Sequence, residues 1–374
     1  MRFLAGTARR FLVRNVCLVR SGDAAFFIAA LEGQPVPRPK VYVTRRIPED
    51  AMAILQAHCD CRIFDHEETP VPRETLLKEL ADAEGAFVLL TDRIDEEVLA
   101  AAPRLRIVAN MAVGYDNIDV AACTRRGVLV TNTPGVLTET TADLTWALLM
   151  ATARRIVEAQ KVIERGQWRT WSPMFLTGQD VYGRTLGIIG AGRIGSAVAR
   201  RARGFDMTIL YHNRRRRPEL EAETGARYAG FHELLEQSDF VVVLVPLTAE
   251  THHLIDEDAL RRMKPNAILI NVSRGPVVDE KALYKALTEG WIWAAGLDVW
   301  EKEPIGPDHP LLALPNVVAL PHIGSASIAT RTRMAVVAAE NLVAGVTGRR
   351  PPNLVNPEAW ERRAGAGEGA GQGG

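Results

Sequence analysis

From Lys40 onward, short apolar runs alternate with segments whose apolar positions recur at helical spacing. Val41-Tyr42-Val43-Thr44, residues 86–90 and residues 106–109 have the length and content of buried strands, and residues 48–57 those of a helix. Residues 138–165 read as one long helix, with Thr138 as its capping residue, Glu139 in its first turn and Gly166 closing it. A second series of six strand candidates follows at 186–189, 207–211, 240–245, 267–271, 294–298 and 317–320. Helical stretches at 194–204, 231–237, 257–263 and 280–289 lie between them. Buried strands alternating with helices predict parallel sheets covered on both faces. The expected class is therefore α/β, with two doubly wound domains, the second built around a glycine-rich turn at 190–195.

Composition narrows this little. The chain has 374 residues, 47% apolar and 24% charged, which excludes a disordered polar chain or a collagen-like one. Lys plus Arg equals Asp plus Glu at 45 each, so charge points to neither a nucleic-acid nor a membrane partner. No apolar run approaches the ~20 residues of a membrane-spanning helix. Cys17, Cys59, Cys61 and Cys123 are too few for a disulfide framework, and Cys59-Asp60-Cys61 lacks the spacer of zinc and redox motifs. They suit packing in a reducing cytoplasm, the expected location. No metal is expected: adjacent His252 and His253 point in different directions, and no carboxylate spacing completes a site. His58, His66, His232 and His309 are expected on the surface or in packing.

The ends differ from the middle. The first forty residues hold seven basic side chains against two acids, and Phe11-Leu12-Val13-Arg14 has the style of an organelle transit peptide. Residues 1–39 are expected to be a disordered extension, ending in the linker-like Pro35-Val36-Pro37-Arg38-Pro39. Residues 361–374, mostly Gly and Ala from Ala364, are expected to be a flexible tail.

Candidate chemistry begins at Gly190-Ala191-Gly192-Arg193-Ile194-Gly195, which fits G-x-G-x-x-G between a strand and a helix. Gly190 permits the tight turn, Gly192 lets backbone approach a pyrophosphate, and Gly195 lets helix pack on strand. The amides of Arg193 and Ile194 at the helix start face the phosphates. At the end of the next strand stand His212-Asn213 and then Arg214-Arg215-Arg216-Arg217. Asn213 carries no charge to repel a 2′-phosphate, and Arg214 and Arg215 offer planar donors for it, so NADP(H) is the expected cofactor with NAD(H) possible.

Three later segments place polar residues at strand ends: Asn271-Val272-Ser273-Arg274-Gly275, the run from Gly296 through Asp298 to Glu303-Pro304, and Pro321-His322-Ile323-Gly324. Reducing a 2-oxo acid needs a cation on the carboxylate, a proton donor for the carbonyl oxygen and a group that keeps the donor charged. Arginine, histidine and a carboxylate supply these in turn. With the glycine turn and residues 109–119, the segments resemble the D-isomer-specific 2-hydroxyacid dehydrogenases over about residues 40–357. Gly166-Gln167-Trp168-Arg169-Thr170-Trp171 and His322-Ile323-Gly324-Ser325-Ala326 look like the glyoxylate and hydroxypyruvate reductases of that family.

The resemblance implies that Arg274 binds the substrate carboxylate, with the amides of Val113 and Gly114 completing the cradle. It implies His322 as the acid-base residue and Glu303 as its partner, with Glu301 as the rival. Asp298 would face the nicotinamide side, Pro246 would line the cofactor cleft, the 272–274 turn with Val272 and Ser273 would touch the ribose, and Gly324 would also bind the cofactor. The implied layout is two Rossmann-like domains: a discontinuous substrate domain of 40–138 plus 324–360, and a dinucleotide-binding domain of 139–323. A homodimer is implied, formed with the helix from Thr138 and with Trp171 reaching the neighbouring subunit; the apolar face of Leu144, Ala147, Leu148 and Ala151 fits that interface and fits simple core packing as well. The expected reaction reduces glyoxylate or hydroxypyruvate to glycolate or D-glycerate. The alternatives are another D-2-hydroxy acid, such as phosphoglycerate or D-lactate, and a non-enzymatic, dinucleotide-sensing corepressor-like protein.

Overall fold

The computed structural model describes residues 37–369, with side chains as far as Arg363, and the backbone of two short antiparallel pairings. These join Leu12–Val13 to Val16–Cys17 and Val19–Ser21 to Ala24–Phe26. The rest of the expected extension, and residues 370–374 of the expected tail, lie outside the described residues.

Beyond the extension the chain builds two parallel sheets. The first has five strands in the order Asp60–Ile63, Lys40–Val43, Gly85–Val88, Ile107–Asn110, Leu129–Thr131. The second has seven, in the order Arg227–Tyr228, Thr208–His212, Thr185–Ile189, Phe240–Val243, Ile268–Asn271, Ala294–Leu297, Val317–Ala319. Helices join successive strands. Central strands such as Phe240–Val243 are buried at every position, which explains their unbroken apolar runs.

Three strands carry no such run. Asp60–Ile63 and Arg227–Tyr228 are half-exposed edge strands with polar residues, and Leu129–Thr131 is only three residues long.

The single helix expected over 138–165 is two. One runs Thr138–Ala153 and the other Ile156–Glu164, with Arg155 left-handed at φ 54° between them. Neither Gly nor Pro marks the break. It comes from the segment that packs across it: Gln179 N–H donates to Ala153 O at 2.9 Å, and a Cβ on Gly178 would strike that carbonyl. Arg155 is then held by Glu158 at 2.8 Å on both oxygens. Gly166 closes the second helix at φ 62°. Thr138 is not the cap. Leu137 holds that position without a side-chain bond, and Glu139 instead pairs with Arg200 at 3.0 Å and Arg201 at 2.9 Å.

The helix Ile328–Val346 lies on the five-stranded sheet, burying Met334, Ala338, Leu342 and Val346 among its strand residues. It approaches so closely that a Cβ at Gly85 would meet Val346 Cγ1 at 2.8 Å and Leu342 Cδ1 at 2.9 Å. After it, the backbone is helical from Pro357 to Gly369, where a flexible tail was expected from 361. Buried Ala359 and the Arg363 bonds to Gly127 O (2.9 Å) and Arg106 O (2.6 Å) hold its first turns.

Candidate active site

In a doubly wound sheet the crevice lies at the carboxyl ends of the strands where their order reverses. Here that is beyond Thr185–Ile189, between Thr208–His212 and Phe240–Val243, and the glycine turn sits there. Gly190 has φ 99°, and a Cβ on it would lie 2.7 Å from the Leu244 carbonyl carbon and Val245 N of the adjoining strand end. Gly195 packs with its α-carbon toward Gly190 O. A Cβ on Gly192 would meet nothing within 4 Å, so open space lies above the start of the helix Arg193–Ala202. An open backbone surface at a helix N-terminus fits a pyrophosphate.

The four arginines divide. Arg216 bonds Glu221 at 2.8 Å. Arg217 donates to Ala191 O at 2.9 Å and pairs with Glu219. Arg214 and Arg215 are exposed and make no ion pair among the described residues. Asn213 Oδ1 accepts the Ala191 N–H at 2.8 Å, tying the strand end to the glycine turn. Exposed Pro246 follows Phe240–Val243, its carbonyl accepting from Thr251 Oγ1 at 2.7 Å.

Buried Asn271 shapes the next turn. Its Oδ1 accepts from Ser273 N–H at 3.1 Å and Ser273 Oγ at 2.9 Å, and its Nδ2 donates to Arg274 O at 3.0 Å. Val272 is buried beneath. Arg274 reaches from the seven-stranded sheet to Asp116, beyond the five-stranded one, with Nε 3.0 Å from Oδ1. Its guanidinium covers Gly114 so closely that any Cβ there would collide with it. The loop bearing Val113 and Gly114 is held by its carbonyls: Asn132 Nδ2 donates to Val113 O and Asn110 Nδ2 to Gly114 O, both at 2.8 Å. The N–H groups of Val113 and Gly114 make no hydrogen bond among the described residues.

The third cluster lies where the chain leaves the seven-stranded sheet. The buried Asp298 carboxylate accepts the N–H of Ile323 and of Gly324, each at 2.8 Å, and Asp298 O accepts the His322 N–H at 2.8 Å. Burial pushes the Asp298 carboxyl above the usual carboxylate range, against those two N–H bonds and the nearby His322. So anchored, His322 takes the left-handed backbone, φ 56°. Its Nδ1 lies 2.7 Å from Glu303 Oε2, while Glu303 Oε1 accepts the Trp300 N–H at 3.0 Å. Glu301 instead bonds His253, at 3.0 Å. Gly275 brings the Arg274 turn against this one, since a Cβ there would fall on the Trp300 carbonyl.

The structure thus assembles Arg274 with Gly114, and His322 with Glu303 and Asp298. Asp116, Asn110 and Asn132 have site contacts that sequence reasoning gave no role. For Asn110 and Asn132 the available signal was an asparagine at or just beyond the carboxyl end of a parallel strand, and Asp116 carried none.

Comparison with known proteins gives the family. Residues 146–324 match the family model described as D-isomer specific 2-hydroxyacid dehydrogenase, NAD binding domain. The chain is 58% identical over 327 residues to a glyoxylate reductase of Korarchaeum cryptofilum, covering 87% of this chain and 98% of that one. A glyoxylate reductase of Thermococcus kodakarensis is 55% identical over 330 residues, covering 87% and 98%. The NADPH-dependent glyoxylate/hydroxypyruvate reductase of Sinorhizobium meliloti, solved with NADP and malonate, superposes with a TM-score of 0.76 at 37% identity, covering 86% of this chain and 98% of that one.

Proposed function

Because the chain belongs to the D-isomer-specific 2-hydroxyacid dehydrogenases, enzymes that use a nicotinamide dinucleotide, we propose that it reduces glyoxylate or hydroxypyruvate to glycolate or D-glycerate with NADPH. The observation that carries this reading is the His322–Glu303 pair at 2.7 Å, packed against the Arg274 turn. The names of its relatives support the substrate class.

In this reading the Arg274 guanidinium grips the substrate carboxylate, and the uncommitted N–H groups of Val113 and Gly114 complete the cradle. Asp116, paired with Arg274 Nε at 3.0 Å, would share the guanidinium with that carboxylate. Glu303 accepts the Nδ1–H of His322, which sets the tautomer and stabilises the imidazolium. Nε2 is left to donate its proton to the carbonyl oxygen. The nicotinamide, when bound, supplies the hydride for the keto carbon. In the oxidative direction His322 takes the proton from the hydroxyl.

Gly190, Gly192, Arg193, Ile194 and Gly195 would hold the pyrophosphate, with Pro246, Val272, Ser273, Asp298 and Gly324 lining the remainder of the cofactor cleft. Arg214 and Arg215, the two arginines without an ion pair, would meet the 2′-phosphate, and Asn213 would not repel it. A homodimer is supported by exposed apolar side chains over residues 156–182, among them Trp171 at 77% exposure. The buried Cys123 thiol, pushed up to about 12 by desolvation, is inert packing and suits a reducing cytoplasm.

The test follows NADPH and NADH absorbance with glyoxylate, hydroxypyruvate, pyruvate and a phosphorylated 2-oxo acid. Glyoxylate and hydroxypyruvate should be turned over fastest, and Arg274→Ala or His322→Ala should lower kcat/KM by about 10²–10⁴-fold. Failure of every acid, or variants that match the parent, would end the proposal. Asn213→Asp should weaken NADPH binding far more than NADH binding. Equal effects would remove the nucleotide preference alone.

A further inference from the structure

Two carboxylates and two imidazoles with no part in this chemistry stand beside the loop that carries Glu303. Glu280 opens the helix Glu280–Thr288, and Glu301 lies two residues before Glu303. Each accepts the other's backbone: Glu301 N–H donates to Glu280 Oε1 at 2.7 Å, and Glu280 N–H donates to Glu301 Oε1 at 3.1 Å. Each also carries an imidazole, His253 Nε2 being 3.0 Å from Glu301 Oε1 and His309 Nε2 3.1 Å from Glu280 Oε2. The other nitrogen of His253 faces Asp279 at 3.9 Å, and its ring lies on that of His252, with 4.1 Å between centroids.

These bonds fall at the two ends of the segment from Trp300 to His309, which has no helix or strand of its own. Glu280 therefore ties down both ends of the Glu303 loop. A second connection runs through Trp300. Its ring meets His309 edge-on at 5.1 Å, its indole N–H donates to Leu320 O at 3.0 Å, and its backbone N–H donates to Glu303 Oε1 at 3.0 Å. Leu320 is two residues before His322, so both members of the His322–Glu303 pair rest on this framework. Two carboxylates held this close repel each other, and the Glu280 side chain is only 15% exposed. A loop that merely closed a surface would gain nothing from that arrangement. A loop that must hold one carboxylate at a set distance from an imidazole does gain from it, because it is fixed at both ends.

We propose that Glu280, Glu301, His253 and His309 form a clasp that positions Glu303 against Nδ1 of His322. They are positioning residues, touching neither substrate nor cofactor. The inference rests on the acid-base reading of His322 and Glu303, and its test separates the two. In Glu280→Ala the loop loses the Glu280 side-chain bond at each end, and kcat should fall about 10–100-fold, the scale of a displacement near 1 Å. KM for the 2-oxo acid and for the nucleotide should stay within about twofold, since Arg274 and the glycine turn are untouched. Glu280→Gln keeps an acceptor for the Glu301 N–H and should restore most of kcat. On a Glu303→Gln background, Glu280→Ala should add little, because both changes act on one pair.

A readout independent of turnover is the downfield proton resonance of the Nδ1–H bond. It should be present in the full-length parent, absent in Glu303→Ala, and broadened or lost in Glu280→Ala. If Glu280→Ala does not fold, Glu301→Ala and His309→Ala each remove the side-chain contacts at one end of the loop and are read in the same way. An unchanged kcat and resonance with only a lower melting temperature would overturn the clasp, as would a full additional loss on the Glu303→Gln background. A parent that turns over no 2-oxo acid, yet whose resonance still responds to Glu280→Ala, would overturn the reaction and leave the clasp standing.

Discussion

Asp298 shows how one residue's burial sets up the site. Its carboxylate caps the two amides that follow His322, so the histidine's left-handed backbone depends on an acid held in a costly place. Burial raises its protonation range in the folded chain above the ~3.9 of an unfolded one. The folded state then binds the proton more tightly, so stability from this group is greatest at low pH and declines as pH rises through the carboxylate range to the raised value. Asp298→Asn cannot ionise and lacks that decline. The denaturation midpoint of the parent should therefore fall relative to that of the variant as pH rises above about 4, the ordinary aspartate range. Parallel midpoints at every pH would show that the carboxyl titrates alike in both states.

At the scale of elements, the same few devices recur. Parallel strands buried on both faces give the apolar runs that make the α/β class legible, and the glycine turn falls where a strand meets a helix. The two-piece helix from Thr138 was not legible, because the Gly178 backbone that interrupts it arrives from a separate segment. The helix Ile328–Val346 matters as packing. Leu342 is fully buried between that helix and the five-stranded sheet, with Gly85 beneath it. Leu342→Ala should cost about 2–5 kcal/mol, read as a lower urea midpoint at unchanged slope. A loss below about 1 kcal/mol would mean that the helix settles into the gap.

For the whole molecule, the unfinished feature is the apolar surface over residues 156–182. Ile156, Ile163, Trp168, Trp171, Met174 and Tyr182 are all more than half exposed, an arrangement that monomers seldom keep. The half-buried Leu144 and Ala151 and the exposed Ala147 continue an apolar face along the preceding helix, while Leu148 belongs to the core. Light scattering after gel filtration should give twice the mass of one chain for the parent. Ile163→Lys with Trp171→Ser should shift it toward one chain without loss of helical signal. A monomeric parent would leave that surface to some other partner.

Local chemistry determined most of what could be read from the chain itself. Strand and helix periods, the steric need for glycine at residue 190, and the arginine, carboxylate and histidine set at strand ends all follow from neighbours close in sequence. Pairings between distant segments were decided only in three dimensions. Glu303 rather than Glu301 reaches His322; Arg217 rather than Arg214 is drawn onto the glycine turn; Arg274 crosses to Asp116; and Glu280 meets both ends of one loop. The physical reason is the range of the forces: propensity and periodicity act over a few residues, whereas a hydrogen bond or ion pair depends on a separation of about 3 Å that only the packed chain sets.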